Sequence, residues 1–171
     1  MSHRTPTRAR AKSYKYPYCL CVIDMQDTFS ASAQVIEPCA ELIRQAISDG
    51  AFIIVAQYSK LSKPCSTNSY LKQTLRTTAA TNYDFCWANQ NDKSEVITAA
   101  IFRNNVYTNK FMFCGVNTDA CVYSTVYGFS KLHPEKEVHI RPEACNTSSG
   151  KDYHDEYVGH MSGLPNVYVV S

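Results

Sequence analysis

Short apolar runs alternate with segments of helical periodicity along the chain, and this alternation predicts the elements of the fold. Apolar residues dominate 18–23 (YCLCVI), 51–56 (AFIIVA) and 110–114 (KFMFC), which is typical of strands buried on both faces. Shorter strands are predicted at 83–87, 138–140 and 167–170. Apolar residues three and four positions apart predict helices at 34–49, 69–78, 92–104, 118–132 and 151–161.

Strands that alternate with helices predict a parallel sheet that is covered by helices on both faces. We therefore expect an α/β fold, a three-layer doubly wound (Rossmann-like) sandwich with a mostly parallel central sheet. The polar segment 57–68, which contains Pro64, is predicted as a loop. Ligands of such folds bind outside the carboxyl ends of the strands, so the residues that follow each strand are the first candidates for a site.

Length and composition place the chain among globular proteins with one domain. Its 171 residues are 44% hydrophobic and 19% charged, which excludes a disordered chain, a collagen-like repeat and a coiled coil. No apolar run approaches the roughly 20 residues of a bilayer-spanning helix, so we expect no integral membrane protein. Neither G-x-G-x-x-G nor G-x-x-x-x-G-K-[ST] occurs, and the sequence predicts no cofactor.

Basic residues are concentrated in the first 17 positions. This segment holds five Lys and Arg residues and no acid, which leaves 12 basic and 15 acidic residues in 18–171. We therefore divide the chain into a basic, disordered N-terminal arm at 1–17 and one folded domain at 18–171. The arm could instead be an organelle transit peptide, or could dock on RNA or an acidic partner. The acidic body argues against nucleic-acid binding by the domain itself.

The eight cysteines are expected to be reduced thiols. Residues 1–17 contain no apolar stretch of a secretory signal, and no two cysteines have C-x-x-C spacing. Cysteines within apolar runs, such as Cys19, Cys21 and Cys114, pack as small hydrophobic side chains. These features predict an intracellular, reducing compartment such as the cytoplasm.

Two strand ends carry residues with catalytic chemistry. Asp24 follows the first apolar run in VIDMQDTF, and burial there would raise the pKa of its carboxyl group toward the range of a general base. Cys121 lies in CGVNTDACV, where a strand ends at Gly115 and a helix is predicted to begin with Thr118 as N-cap. Unpaired N–H groups in the first helical turn favour a thiolate at Cys121. The alternatives are a turn aspartate and a buried structural cysteine.

These two segments resemble the isochorismatase-like cysteine hydrolases, a superfamily that includes nicotinamidases, N-carbamoyl amide hydrolases and isochorismatases. DMQDTF and CGVNTDACV match the patterns D-x-Q-x-x-F and G-V-x-T-x-x-C-V without gaps, and the resemblance covers about 18–171 in order. It implies a nucleophile at Cys121 and a general base at Asp24. It also implies a cis peptide between Val116 and Asn117 that turns backbone N–H groups toward a developing oxyanion.

The third catalytic residue of the family is a lysine after the third strand, and this chain departs from that pattern. Residues 77–91 contain no lysine, so Lys93 is the nearest candidate, although the next helix is expected to begin there. Lys63 and Lys60, in the segment after the second strand, are the second and third candidates. Lys110 is expected at the opposite edge of the sheet. For all four, a solvated surface lysine is the alternative.

The metal site of nicotinamidases has no counterpart in this sequence. The resemblance implies an Asp and two His after the second strand, but QYSKLSK at 57–63 contains no histidine. His154 and His160 are six residues apart, which is poor spacing for one helix face. We expect no bound metal, which argues against a nicotinamidase.

Two hypotheses for the function follow. The first is a hydrolase that cleaves an amide, carbamoyl or related bond of a small-molecule substrate, with Phe29 and Trp87 as candidates for lining the pocket. The second is a catalytically inactive family member that acts as a structural or binding subunit, which the displaced lysine and the basic arm favour. The substrate does not follow from the fold.

We predict that the protein is a homo-oligomer, a dimer or larger. The resemblance implies this assembly, and the 12 tyrosines and net charge of only +2 permit association. Analytical ultracentrifugation at micromolar concentration should give the mass of at least two chains. A mass near the 19.2 kDa of one chain would contradict the prediction.

Overall fold

Strands and helices alternate along the chain in the order that the hydrophobic pattern predicts. A computed structural model describes residues 15–60, 63–64, 67–77 and 81–171, with only the backbone of residues 60, 63 and 64. The strands are β1 (Cys19–Ile23), β2 (Phe52–Lys60), β3 (Lys63–Pro64), β4 (Tyr83–Ala88), β5 (Lys110–Val116), β6 (Glu137–Asn146) and β7 (Val167–Val169). The helices are α1 (Ile36–Ser48), α2 (Ser69–Thr77), α3 (Ser94–Arg103), α4 (Tyr123–Leu132) and α5 (Lys151–Ser162).

The central sheet has six parallel strands in the order β4-β2-β1-β5-β6-β7 within the described residues. The two-residue strand β3 pairs antiparallel with the end of β2. Helices α1 and α2 pack together on one face, and α3, α4 and α5 pack in sequence on the other, as right-handed crossovers require. The predicted three-layer, doubly wound fold is confirmed. The strand order reverses between β1 and β5, which is where such folds bind ligands.

β1 is apolar throughout because it lies in the middle of the sheet with helices on both faces. All five of its residues are fully buried. Its last residue, Ile23, is in register with Ala56 of β2 and with Gly115 of β5. The three strands therefore end at the same edge, and the chain that follows each of them meets there.

Gly115 is required by the close approach of β5 to β1. Its φ of +123° lies in a region that L side chains rarely adopt, and a Cβ on this residue would overlap the carbonyl oxygen of Ile23. This contact brings the turn after β5 against the end of β1.

The described part of the segment 57–68 is not all loop, contrary to the prediction from its polarity. β2 continues to Lys60, and β3 follows at Lys63–Pro64. The extension pairs with β4 as far as Tyr58 and with β3 beyond it. The Gln26 side chain also binds it, accepting a hydrogen bond from Tyr58 N–H at 2.8 Å and donating one to Tyr58 C=O at 3.0 Å. β6 is likewise longer than predicted, with an irregularity in its pairing to β5.

The predicted helix at 118–132 is also corrected. One turn of π-helix spans Thr118–Val122, and α4 begins only at Tyr123. Thr118 is not the N-cap, because its hydroxyl group pairs with His154 Nδ1 at 2.9 Å. Helix α3 begins at Ser94, two residues later than predicted, because Asp92 Oδ1 accepts a hydrogen bond from Ser94 N–H at 2.7 Å.

The end of the predicted N-terminal arm contacts the domain. Residues 1–14 lie outside the described residues. Lys15 N–H and Tyr16 N–H donate to Tyr107 C=O at 2.9 and 3.2 Å, and the buried Tyr16 ring packs edge-on against Phe52. None of the described helices has the length and apolar character to cross a membrane.

We predict that Gly115→Ala lowers the free energy of unfolding by at least ~2 kcal/mol, since the added methyl group meets backbone and φ becomes strained. Gly159→Ala in α5 is the matched control. A Cβ at Gly159 meets no atom within 4 Å, so this change should add about 0.5–1 kcal/mol by helix propensity. Chemical denaturation measures both effects. Equal stabilities of the two variants would contradict this account of the β1–β5 contact.

Candidate active site

Asp24 lies immediately after β1 at the carboxyl edge of the sheet. Its backbone has a φ of +49°, and its N–H donates to Ala56 C=O at 2.8 Å. The side chain is fully buried, and Oδ2 accepts a hydrogen bond from Lys93 Nζ at 3.0 Å. Oδ1 is buried without a hydrogen bond of regular geometry to any group in the described ranges. One carboxylate oxygen is thus held by a cation, and the other remains available to a proton.

Lys93 precedes α3, and its side chain is completely buried. Besides Asp24, its ammonium group donates to Gln90 C=O at 2.6 Å and to Asn91 C=O at 3.3 Å. The nitrogen also lies 5.0 Å from the centroid of the Tyr58 ring. An ammonium group has three protons, so these three acceptors use all of them and fix the charge at the Asp24 carboxylate.

Cys121 lies in the π-helical turn between β5 and α4 and is 4% exposed. Its Sγ is 3.6 Å from Asn91 Oδ1. The pKa of the thiol is raised to about 12, chiefly by burial and then by the charge of Asp24 and hydrogen bonding to it. The Lys93 charge and the backbone N–H of Asn117 act in the opposite direction. The thiol is therefore protonated at neutral pH, in contrast to the thiolate expected from a helix N-terminus.

Burial also raises the pKa of the Asp24 carboxyl above its ordinary value of 3.8. The Lys93 charge and the hydrogen bonds from Cys121 and Lys93 oppose this shift. The carboxyl group is thus a stronger base than an exposed aspartate, and the thiol beside it holds the proton that it can accept.

The turn that precedes Cys121 has the geometry that the family resemblance implies. The peptide bond between Val116 and Asn117 is cis. The Asn117 side chain is tied to the loop before α5, because Oδ1 accepts a hydrogen bond from Ser148 N–H at 3.3 Å. Its backbone N–H is directed at the Cys121 sulfur.

The structure brings together three of the predicted site residues, namely Asp24, Cys121 and Lys93. Lys93 reaches Asp24 because it ends the loop before α3 and its side chain turns back into the core. The alternative that Lys93 is a solvated surface lysine is therefore wrong. Lys110 begins β5 and lies at the opposite edge, as predicted. The side chains of Lys60 and Lys63 lie outside the described residues.

The two aromatic candidates differ in their relation to these residues. The Phe29 ring packs edge-on against Tyr58, with centroids 6.2 Å apart, and Tyr58 in turn faces Lys93. Trp87 lies on β4 opposite Gln57 of β2 and is 58% exposed. It makes no ring contact and no side-chain hydrogen bond with other described residues. Phe29 is thus joined to the site through Tyr58, and Trp87 is not.

Sequence reasoning missed Asn91 and Tyr58. Asn91 contacts the thiol through Oδ1 and Lys93 through its carbonyl group, and Tyr58 covers the ammonium. Their positions contain a weak signal. Asn91 is two residues before the candidate lysine, and Tyr58 follows the apolar run of β2.

The donor groups near this site do not suit a divalent metal. Within the described ranges, no three His, Cys, Asp or Glu residues are arranged so that they could hold a metal ion. The whole segment 57–68 contains no His, Asp or Glu in its sequence. The Asp24 carboxylate is already engaged by Lys93, so the residues present do not fit the metal of nicotinamidases.

An open cavity of about 590 Å³ lies beside this site but does not include it. Its walls come from the segment after β1, the end of β6 and the start of α5, and none of Asp24, Lys93 and Cys121 lines it. It meets the cis-peptide turn through Ser148 and His154, which contact Asn117 and Thr118.

Comparisons with known proteins identify similar sequences and folds. The family model described as "Isochorismatase domain" matches residues 18–171. No curated protein matches the chain in sequence. The structure is similar to that of a nicotinamidase from Staphylococcus aureus, with 18% identity, a TM-score of 0.75, and coverage of 90% of this chain and 97% of that one.

Two further solved structures share the fold. The MAR1 ribonuclease from Caenorhabditis elegans is 18% identical with a TM-score of 0.74, over 92% of this chain and 80% of that one. An isochorismatase family protein from Desulfovibrio vulgaris is 14% identical with a TM-score of 0.70, over 90% and 94%. At these identities the likeness is one of fold.

We predict that Lys93→Met lowers the free energy of unfolding by about 3–5 kcal/mol at neutral pH, because it leaves the Asp24 carboxylate buried without its cation. A raised carboxyl pKa means that the folded state binds the proton more tightly than the unfolded chain. Stability then falls as pH rises above 3.8 toward the folded-state pKa. Without Lys93 the folded-state pKa of Asp24 is higher still. The loss of unfolding free energy in Lys93→Met (the stability deficit) should therefore grow with pH and shrink in acid.

Urea denaturation between pH 4 and 8 measures this deficit. Lys131→Met is the control, since Lys131 is exposed on α4 and forms no ion pair with the described residues. A deficit for Lys93→Met that does not vary with pH would contradict the prediction.

Proposed function

The chain belongs to the isochorismatase family, and on that premise we propose that it is a metal-independent cysteine hydrolase. Its substrate is a small molecule with an amide, carbamoyl or related C–N bond. Members of the family are hydrolases that act on such bonds. The observation that carries the proposal is the buried Lys93–Asp24 pair beside the Cys121 thiol.

The nucleophile in this proposal is made by a neighbouring base and not by a low thiol pKa. Burial raises the pKa of Cys86 to about 12 as well, the same value as for Cys121. A raised pKa therefore does not separate the two thiols. The position of the Cys121 thiol beside the Asp24 carboxylate does, because a base next to the thiol can take the proton as the sulfur attacks.

The first half of the reaction forms an acyl-enzyme. The Cys121 thiol gives its proton to Asp24, and Sγ forms a bond to the carbonyl carbon of the substrate. The oxyanion that develops accepts a hydrogen bond from the backbone N–H of Asn117 in the cis-peptide turn. When the C–N bond breaks, the protonated Asp24 gives its proton to the leaving nitrogen, and a thioester remains on Cys121.

The second half releases the acid. Asp24, again a carboxylate, takes a proton from water as the oxygen attacks the thioester, and the proton returns to the departing sulfur. The Lys93 ammonium group takes no part in these proton transfers, and it donates its three hydrogen bonds to Asp24, Gln90 and Asn91 throughout. Its role in this scheme is a fixed positive charge that keeps Asp24 ionised between proton transfers.

The inactive-subunit alternative has less support than the hydrolase. The displaced lysine and the basic arm favoured it, but Lys93 Nζ is 3.0 Å from Asp24, so the lysine no longer supports it. We further propose that Phe29 borders the substrate through its contact with Tyr58. A reducing compartment fits the seven described cysteines, all of which are buried free thiols.

The test is release of ammonia or amine from a panel of small amides and carbamoyl compounds. For a compound that is turned over, Cys121→Ala and Asp24→Asn should each lower kcat by roughly 10³-fold or more. Lys93→Met should lower kcat and move the pH optimum, because Asp24 loses the charge that opposes its raised pKa. Cys86→Ala is the control, since Cys86 has a similarly buried thiol without the paired base.

Two results would overturn the proposal. One is turnover that survives Cys121→Ala or Asp24→Asn with the fold intact by circular dichroism. The other is a loss of turnover in Cys86→Ala equal to that in Cys121→Ala.

A further inference from the structure

The loop that carries Lys93 is bound to the helix that follows Cys121 by a buried threonine, Thr125. The Thr125 hydroxyl group accepts a hydrogen bond from Lys93 N–H at 3.0 Å and donates one to Asn91 C=O at 3.2 Å. Thr125 is fully buried and lies four residues, about one helical turn, after Cys121. Both hydrogen bonds of the Thr125 hydroxyl group, one accepted and one donated, are thus made to the segment that leads into α3.

The Thr125 hydroxyl group shares a hydrogen-bond acceptor with the Lys93 ammonium group. Asn91 C=O, which accepts from Thr125, also accepts from Lys93 Nζ at 3.3 Å. Thr125 therefore orients one of the three acceptors of the ammonium and holds the backbone from which the Lys93 side chain begins. The path runs from Thr125 through Asn91 and Lys93 to Asp24.

Gly128 allows the loop and α4 to approach closely enough for these hydrogen bonds. It lies three residues after Thr125 and hence on the same side of the helix. A Cβ on Gly128 would overlap Asp92 Oδ2 and lie 2.7 Å from Ser94 Oγ. Asp92 and Ser94 flank Lys93 in sequence, so a larger residue at 128 would displace the two side chains next to the lysine, including the Asp92 carboxylate that accepts from Ser94 N–H.

We propose that Thr125 is a positioning residue that holds the Lys93 ammonium group at Asp24 and thereby sets the reactivity of Cys121. The inference rests on the proposed function, because it takes Asp24, Lys93 and Cys121 as the working centre. Both hydrogen bonds of the Thr125 hydroxyl go to the lysine loop, so Thr125 acts through Lys93. When the ammonium moves away from Asp24, the carboxyl group loses its charge partner and the thiol becomes less reactive.

A purely structural threonine would have the same effect on folding but not on the thiol. Thr108 provides the matched control. It is 2% exposed at the opposite edge of the sheet, just before β5. Its hydroxyl also uses both functions on backbone, accepting from Lys110 N–H at 3.3 Å and donating to Lys110 C=O at 3.5 Å.

The experiment measures the rate at which iodoacetamide alkylates Cys121 between pH 6 and 10, with the modified peptide quantified by mass spectrometry. The proteins are the natural chain, Thr125→Val, Thr125→Ser, Thr108→Val and Lys93→Met. Alkylation of the buried Cys86 in the same samples reports opening of the fold, and each Cys121 rate is taken relative to it.

Thr125→Val should lower the relative rate at Cys121 by about three- to tenfold and shift the profile to higher pH, because a displaced Lys93 opposes the rise in thiol pKa less effectively. Thr125→Ser keeps the hydroxyl and should restore most of the rate. Thr108→Val should follow the natural chain. Gly128→Ala should slow alkylation in the same direction, and it carries the test if Thr125→Val does not fold.

The role of Thr125 would be overturned if the alkylation profile of Cys121 in Thr125→Val equals that of the natural chain. Equal profiles in Thr125→Val and Thr108→Val would also overturn it. Lys93→Met separates this failure from that of the proposed function. If Lys93→Met slows alkylation and Thr125→Val does not, the positioning role falls and the hydrolase proposal stands. If Lys93→Met leaves the profile unchanged, the Lys93–Asp24 pair does not control the thiol, and both fail.

Discussion

The buried ion pair between Lys93 and Asp24 is the interaction on which the rest of the site depends. Removing two charges from water costs several kcal/mol for each, and a pair offsets this cost only with good geometry and further hydrogen bonds. Here Lys93 Nζ and Asp24 Oδ2 are 3.0 Å apart, and two backbone carbonyl groups accept the other two hydrogen bonds of the ammonium group. The pair joins residues 69 positions apart and fixes the start of α3 to the end of β1.

The pair also determines how a cysteine can react in this environment. Three ionisable groups share a buried space. Burial and the charge of Asp24 keep the thiol neutral at rest, and the charge of Lys93 only partly opposes them. A free thiolate there would add a second negative charge beside Asp24. In the proposed mechanism the proton is therefore transferred only when the sulfur bonds to carbon, and the carboxylate that receives it is already held by Lys93. In the proposed positioning role, the hydrogen bonds of Thr125 preserve this arrangement.

The elements that the sequence predicts well are those whose cause is local. β1 is read as a buried strand because it is apolar throughout, and Asp24 and Cys121 stand out because each follows such a strand at the same sheet edge. Other features arise from contacts between distant residues. β2 extends to Lys60 through its pairing with β3 and the hydrogen bonds of Gln26 to Tyr58, and Lys93 is buried because it pairs with a carboxylate 69 residues earlier. The hydrophobic periodicity of the sequence cannot predict either contact, because each joins residues that are far apart in the chain.

The central claim is that Asp24 is a buried base whose proton affinity Lys93 controls. A carbon-13 NMR titration of the Asp24 carboxyl carbon, assigned by comparison with Asp24→Asn, tests it most directly. The account predicts a pKa above 3.8, and a further upward shift of the pKa in Lys93→Met. A pKa at or below 3.8, or one that Lys93→Met leaves unchanged, would contradict it.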